Sequence, residues 1–501
     1  MKKLIVILMT IMTLSVFCAC SGGGNTEESS EMEMPETPPN IYTIVYSRMY
    51  EDAAKTVAET VREKAGLEFE CFRFEKGMEL PQYAVIIGDI SDGVSDALCK
   101  DIARLDFGTR VVNDRVYCYG GCDESVVNAA NYLANALVNE RGIEPDDDYN
   151  YFYDNPYSLE NATINGIDIG EFTLVYAATE NEAKYSDVAE DFKTYLRDNA
   201  DVRVRALPAG KPDGEKEILI GIVPKRGIVE GRSESEFGDF DYEITVSGDK
   251  VAIIGGNACA VWQGCMAFAK KIELLDDKAV GDMVLSGSTR LVKVSCVGDS
   301  ITEGGNSSNP HSMTYPVYLQ RMLGYDYIVK NHGHSGYSVV FTDEYSYSKS
   351  PVYTKAKEFA PDVVIYMLGT NDCNPGQSYK SWDNGIREAT YRADTIKYLN
   401  SFREINENVQ IFMSILPTLC YSTIWPWEEW AARIEKHVSI INREIAEEEG
   451  LPIVDMFSWS KNHPEVFKDG LHPYNESYKV YAQRVYDEIK NVIITRENFI
   501  K

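Results

Sequence analysis

The run Tyr42-Thr43-Ile44-Val45-Tyr46 returns as Phe172-Thr173-Leu174-Val175-Tyr176, and it does not return alone. Val85-Ile86-Ile87-Gly88 is matched by Ile218-Leu219-Ile220-Gly221. Asn113-Asp114-Arg115-Val116-Tyr117-Cys118-Tyr119-Gly120-Gly121 is matched by Ser247-Gly248-Asp249-Lys250-Val251-Ala252-Ile253-Ile254-Gly255-Gly256. Matched segments in one order mark a duplicated structural unit. After each Gly-Gly, apolar residues recur at helical spacing: Val127, Ala130, Leu133 and Leu137 in the first copy, Val261, Cys265, Phe268 and Ile272 in the second. Each copy reads strand, helix, strand, hairpin-like pair, helix, which predicts two small α/β units over residues 41–150 and 165–285. The stretch 144–157, rich in Asp, Tyr and Asn, reads as the linker between them, a solvated acidic loop more readily than a calcium site.

Beyond residue 290 the pattern changes but stays α/β. Short apolar runs at 291–297, 327–329, 363–368, 409–416 and 452–456 alternate with helix-like stretches such as 315–323 and 430–449. Strands alternating with helices imply a parallel sheet covered on both faces, hence a three-layer domain over residues 290–501. Pro316 near the start of one helix and Gly450 after the end of another are the expected punctuation.

Four segments of this region carry chemistry, and they fall just after apolar runs, where open α/β sheets place their sites. Val297-Gly298-Asp299-Ser300-Ile301-Thr302-Glu303-Gly304 offers a serine, and Asp469-Gly470-Leu471-His472-Pro473 offers a base and a carboxylate to orient it. A serine hydroxyl attacks an acyl carbon only when a positioned base takes its proton. Between them lie Asn331-His332-Gly333-His334-Ser335-Gly336-Tyr337-Ser338 and Met367-Leu368-Gly369-Thr370-Asn371-Asp372, each with donors for a developing oxyanion. Together the four blocks resemble the SGNH (GDSL-type) hydrolase family. The resemblance implies Ser300 as nucleophile, His472 as base and Asp469 as its partner. It implies an oxyanion hole from the Ser300 and Gly336 backbone N–H groups and the Asn371 amide, with no metal and no cofactor. Gly88-Asp89-Ile90-Ser91 is a decoy of the first block, its serine displaced by one residue and no partner blocks following. The duplicated units, by their pattern and Gly-Gly turn, resemble the small domains that precede the catalytic barrels of β-hexosaminidases and α-glucuronidases, which implies scaffolding.

Lys2 and Lys3 precede the apolar run 4–17 and then Phe17-Cys18-Ala19-Cys20-Ser21-Gly22. The segment resembles a bacterial lipoprotein signal (residues 1–19) with lipid on Cys20, and an ordinary secretory signal is the other reading; both predict an exported chain at the cell surface or in the periplasm. Residues 20–40, rich in Gly, Ser, Glu, Pro and Thr, form the expected flexible tether. The formal charge of −29 disfavours nucleic acid and anionic headgroups as partners, so membrane contact is expected through the lipid anchor alone. Of eleven cysteines, nine remain beyond the signal and Cys20, at irregular spacing. Buried free thiols are the expected state, with a Cys118–Cys122 bridge as the alternative.

Substrate is less legible. Trp425, Trp427 and Tyr337 are candidate substrate contacts; aromatic rings stack on sugars and equally on one another, so loop packing remains open, as it does for Trp382. His332-Gly333-His334 lacks an evident third metal ligand, and loop hydrogen bonding is the expected role. The expected function is an exported esterase removing O-acetyl or other small acyl groups from acylated glycans. Two alternatives stand beside it: a lipase or lysophospholipase, and a surface glycan-binding protein with an inactive hydrolase domain.

Overall fold

The computed structural model describes residues 42–178, 182–211, 214–376, 382, 385–424 and 426–490; the signal, Cys20, the tether and Trp425 lie outside the described residues. The chain divides into two compact units between Tyr153 and Asp154.

The first unit is built on a six-stranded sheet in the order β2-β1-β3-β5-β4-β6, where β1 is Thr43–Tyr46, β2 Cys71–Arg73, β3 Ala84–Ile87, β4 Phe107–Val112, β5 Arg115–Gly120 and β6 Asn150–Tyr153. β1, β2, β3 and β5 run parallel, while β4 pairs antiparallel with β5 and β6. Helices Glu51–Ala65 and Asp123–Ala136 cover it with Val57, Val61, Val126, Ala130 and Leu133. The buried stripe of the second helix departs from the expected one: Val126 enters the core and Val127 is 36% exposed. The buried face runs through Val126, Ala129, Ala130, Leu133 and Ala134 at the i, i+3, i+4, i+7, i+8 spacing of one helical stripe, and Val127 lies off it. Part of the expected linker is also strand, since β6 extends the sheet and stacks Tyr153 on Phe107 at 5.0 Å.

The second unit opens with a copy of that sheet. β7 (Thr173–Tyr176), β8 (Arg205–Pro208), β9 (Glu217–Ile220), β10 (Asp241–Ser247), β11 (Lys250–Gly255) and β12 (Met283–Ser288) lie in the order β8-β7-β9-β11-β10-β12, with the same directions. The repeated Gly-Gly turn has a steric cause in both sheets. A Cβ on Gly121 would sit 2.1 Å from the Ala103 carbonyl oxygen, and one on Gly256 would sit 2.2 Å from that of Gly238. Helix Ala258–Glu273 buries Val261, Cys265, Phe268 and Ile272 as expected, starting from Asn257, whose Oδ1 accepts the Ala260 N–H at 3.0 Å.

The rest of this unit is a five-stranded, wholly parallel sheet: β13 (Val292–Gly298), β14 (Tyr327–Gly333), β15 (Val363–Met367), β16 (Gln410–Ile415) and β17 (Ile453–Asp455), in the order β14-β13-β15-β16-β17. All five residues of β15 are buried, as a strand covered on both faces requires. The strand order reverses at β13, so its carboxyl end is the switch point where open α/β sheets form a crevice. The long helical stretch expected at 430–449 is continuous from Trp427 to Glu448 but contains a π-helical turn at Ile434–Val438. The second repeat is docked on this domain: Trp262 stacks on Tyr325 at 4.8 Å, Tyr325 Oη donates to Asp191 at 2.6 Å, and Arg321 pairs with Asp187 at 3.1 Å.

Candidate active site

β13 ends at Gly298, and the chain turns at once into a one-turn helix, Ser300–Glu303. Asp299 makes the turn possible: its Oδ1 accepts the Ile301 N–H at 3.1 Å, satisfying one donor of the helix start. Ser300 is thereby held at the tip of a buried central strand. His472 comes from the other end of the domain and places Nε2 2.8 Å from Ser300 Oγ. Its Nδ1 is 2.8 Å from Asp469 Oδ2, while Asp469 Oδ1 accepts the backbone N–H groups of His472 and Leu471 at 2.7 and 2.9 Å. Ser422 Oγ donates to the Asp469 carbonyl at 2.6 Å, fixing the loop from outside. Burial works against the Asp469 carboxylate, but those hydrogen bonds outweigh it and hold the group down to about 2. Asp469 therefore stays ionised and keeps the imidazole oriented with Nε2 towards the serine.

The two middle blocks meet at the same crevice. Gly336 follows β14 with φ +80° and is exposed. The loop carrying it is tied back to the helix that Ser300 begins, because Ser335 donates from its backbone N–H (2.8 Å) and from its hydroxyl to Glu303 Oε2. Asn371, after β15, donates Nδ2–H to the carbonyl of Tyr337 at 3.1 Å, so its amide orientation is set by the residue following Gly336. The structure thus brings Ser300, His472 and Asp469 into one hydrogen-bonded chain and links the Gly336 and Asn371 blocks to each other.

Several supporting residues carry no local sequence signal. Asp372 is fully buried; it accepts the Val339 N–H at 2.8 Å and an Arg387 Nη2 donor at 2.9 Å, while Arg387 also binds Asp343 at 2.9 Å. This buried Asp-Arg-Asp cluster clamps the loop after Gly336 against the Asn371 turn. Gly305 lies against the histidine, since a Cβ there would be 2.8 Å from His472 Cδ2. The side chain of Asp299 is buried beside Ser300, and burial pushes its carboxyl above the usual range.

The aromatic candidates separate. Trp427 is half-buried and meets Tyr421 edge-on at 6.1 Å; Tyr337 is half-buried and stacked on His334 at 3.9 Å. Trp382 is buried, donating Nε1–H to the Asp372 carbonyl at 3.1 Å, and Trp430 likewise to the Thr370 carbonyl at 2.7 Å, so both pack the loops. His332 is buried with Nδ1 2.7 Å from Ser295 Oγ, and burial, aided by Lys330 and Lys355, pushes it down to about 3. Among the described residues no group of three His, Cys, Asp or Glu is placed to hold a metal. The nine cysteines from Cys71 to Cys420 are free thiols, including Cys118 and Cys122.

With this geometry in view, residues 296–480 match the GDSL-like lipase/acylhydrolase family. The C-terminal domain is a GDSL-like hydrolase domain. An acetylxylan esterase of Xylanibacter ruminicola is 28% identical over 214 residues, covering 40% of this chain and 43% of that protein. The chain thus spans less than half the length of that curated relative. Among solved structures, a carbohydrate acetylesterase family member from Sinorhizobium meliloti is 20% identical, covering 40% of this chain and 97% of the other, with a TM-score of 0.31. A catalytic mutant of an acetylxylan esterase from Geobacillus stearothermophilus is 18% identical, with corresponding shares of 40% and 96% and a TM-score of 0.28.

Proposed function

We propose that the GDSL-like domain is a serine esterase that removes small acyl groups, acetyl first among them, from glycans. The observation that carries the reading is the unbroken chain from Ser300 Oγ through both His472 nitrogens to Asp469, each link 2.8 Å long. In the proposed cycle His472 Nε2 takes the Ser300 proton as Oγ attacks the ester carbon. The oxyanion is stabilised by the Ser300 and Gly336 N–H groups and the Asn371 amide. Collapse expels the sugar alcohol, which receives the proton from His472, and leaves an acyl-serine. A water activated by His472 then attacks the acyl carbon and releases acetate, returning Ser300. Asp469 remains a carboxylate throughout. The acetyl and glycan parts of the proposal are supported by the similarity to an acetylxylan esterase. The sequence around Cys20 supports an exported, lipid-anchored enzyme with its lipid as the one membrane contact, and the net charge of −29 argues against nucleic acid as a partner.

The test is acetate release from acetylated xylo-oligosaccharides by the full chain beside Ser300→Ala, with long-chain lipid esters in parallel. The proposal expects release by the parent and none by the variant. Hydrolysis confined to the long-chain esters would replace it with a lipase reading.

A further inference from the structure

Both repeats enter their first helix beneath an equivalent glycine. Gly88 packs on Tyr50 in the first copy, and Gly221 packs on Tyr185 in the second. The chain between strand and tyrosine differs. Three residues, 47–49, follow β1 in the first repeat, whereas eight, 177–184, follow β7 in the second. The last residues of the longer segment, Glu182 and Lys184, reach the hydrolase domain. Glu182 Oε1 accepts the Asn331 N–H at 2.7 Å and its Oε2 lies 3.9 Å from Lys330 Nζ, while Lys184 Nζ donates to the His311 carbonyl at 2.6 Å.

These contacts wall a cleft of about 690 Å³, lined by Glu182 from the second repeat and by Glu303, His311, Asn331, Ser335 and Lys355 from the hydrolase domain. The cleft borders the candidate active site. Gly305 lines it and also abuts His472; Glu303 ends the helix that Ser300 begins; Ser335 precedes Gly336. Its size suits a ligand of a few sugar rings. Its lining of carboxylates, amide, hydroxyl and ammonium suits a ligand that donates and accepts many hydrogen bonds, and only Pro310 and Val317 among its side chains are apolar.

We propose that the second repeat completes the substrate site: Glu182, which it contributes, and Lys355, which lines the same cleft, bind the hydroxyls of a sugar unit beyond the acylated one. The repeat is then a specificity-determining part of the enzyme. This rests on the glycan-esterase reading above.

The test uses the full chain, acetylated xylo-oligosaccharides and 4-nitrophenyl acetate, with Glu182→Gln and Glu182→Ala. The glutamine variant retains an oxygen for the Asn331 N–H, which separates charge from docking. Loss of a charged hydrogen bond to substrate should raise KM for the oligosaccharide about tenfold in both variants, with kcat held within about twofold. The oligosaccharide effect should exceed any change on the aryl acetate by about tenfold. Equal effects on both substrates, a fall in kcat alone, or no effect would overturn the proposal. A parent enzyme that cleaves the aryl acetate and leaves the oligosaccharide intact would refute the glycan-ester reading instead. Calorimetry of unacetylated xylo-oligosaccharide with Ser300→Ala then decides the subsite: binding weakened by added Glu182→Gln supports it, and unchanged or absent binding overturns it.

Discussion

Replacing Arg387 by methionine should unfold the hydrolase domain more readily than removing any surface cation. The Arg387 side chain is 7% exposed and its partners Asp343 and Asp372 are 5% and 0% exposed. Its guanidinium makes three hydrogen bonds, at 3.3 and 2.9 Å to Asp343 and 2.9 Å to Asp372. Methionine fills a similar length but leaves two carboxylates buried without a cation, a loss of about 3–5 kcal/mol for a broken buried pair. Arg392, paired with Glu448 in a 29% and 59% exposed bridge, supplies the control, and Arg392→Met should cost less than about 1 kcal/mol. All six tryptophans lie between residues 262 and 459, so fluorescence during urea unfolding reports on the second unit alone. Adding Asp343→Asn to Arg387→Met should restore part of the loss, because one of the two stranded charges is then gone. The variant's turnover should fall too, since Asp372 holds the loop after Gly336 through the Val339 N–H. A loss below about 1 kcal/mol in Arg387→Met would refute the argument that this cluster clamps the two middle blocks.

Asn371→Ala should lower kcat on 4-nitrophenyl acetate on the order of a hundredfold or more with a small change in KM, the signature of a donor used mainly in the transition state. Asp469, held at about 2 against an ordinary 3.8, should stay ionised through the working range, so the pH profile of kcat/KM should show no step from it between about pH 4 and 9. Because its folded value is the lower one, its stabilisation, about 2 kcal/mol, is full above pH 4 and is lost as pH falls through 2; acid unfolding of Asp469→Asn should lack that component. Gly305→Ala would press a methyl carbon to 2.8 Å from His472 Cδ2 and 3.2 Å from Nε2, and steady-state assays should find kcat down by about tenfold or more as the imidazole is pushed off the serine.

The parallel sheet of the hydrolase domain is legible in the sequence because each strand is a buried apolar run bounded by turn residues, and a run such as Val363-Val364-Ile365-Tyr366-Met367 has few other folded states open to it. The duplication is legible for the same reason in its core strands. The edge strands Cys71–Arg73 and Arg205–Pro208 are not: they are short and mostly exposed, with Phe72 at 43%, and leave no alternation to read. At the site, blocks defined by neighbouring residues, such as Asp469 to His472, can be read locally. Arg387, Asp343 and Asp372 cannot, because their contacts join residues 44 and 15 positions apart and each looks like an ordinary surface charge in the sequence. The same holds for Glu182, whose partner Asn331 N–H is 149 residues away. Trp382 and Trp430 show the converse: their indole N–H groups, bound to loop carbonyls, decide between packing and sugar contact, and only the fold displays that.

The central claim, an activated Ser300 that carries the acyl group, is tested most directly by intact-protein mass spectrometry after exposure to a fluorophosphonate, followed by peptide mapping. The account predicts a single adduct on Ser300, lost in Ser300→Ala and strongly slowed in His472→Ala, since the base is 2.8 Å from the hydroxyl it activates. An adduct on another residue, or labelling of Ser300 at an undiminished rate without His472, would contradict it.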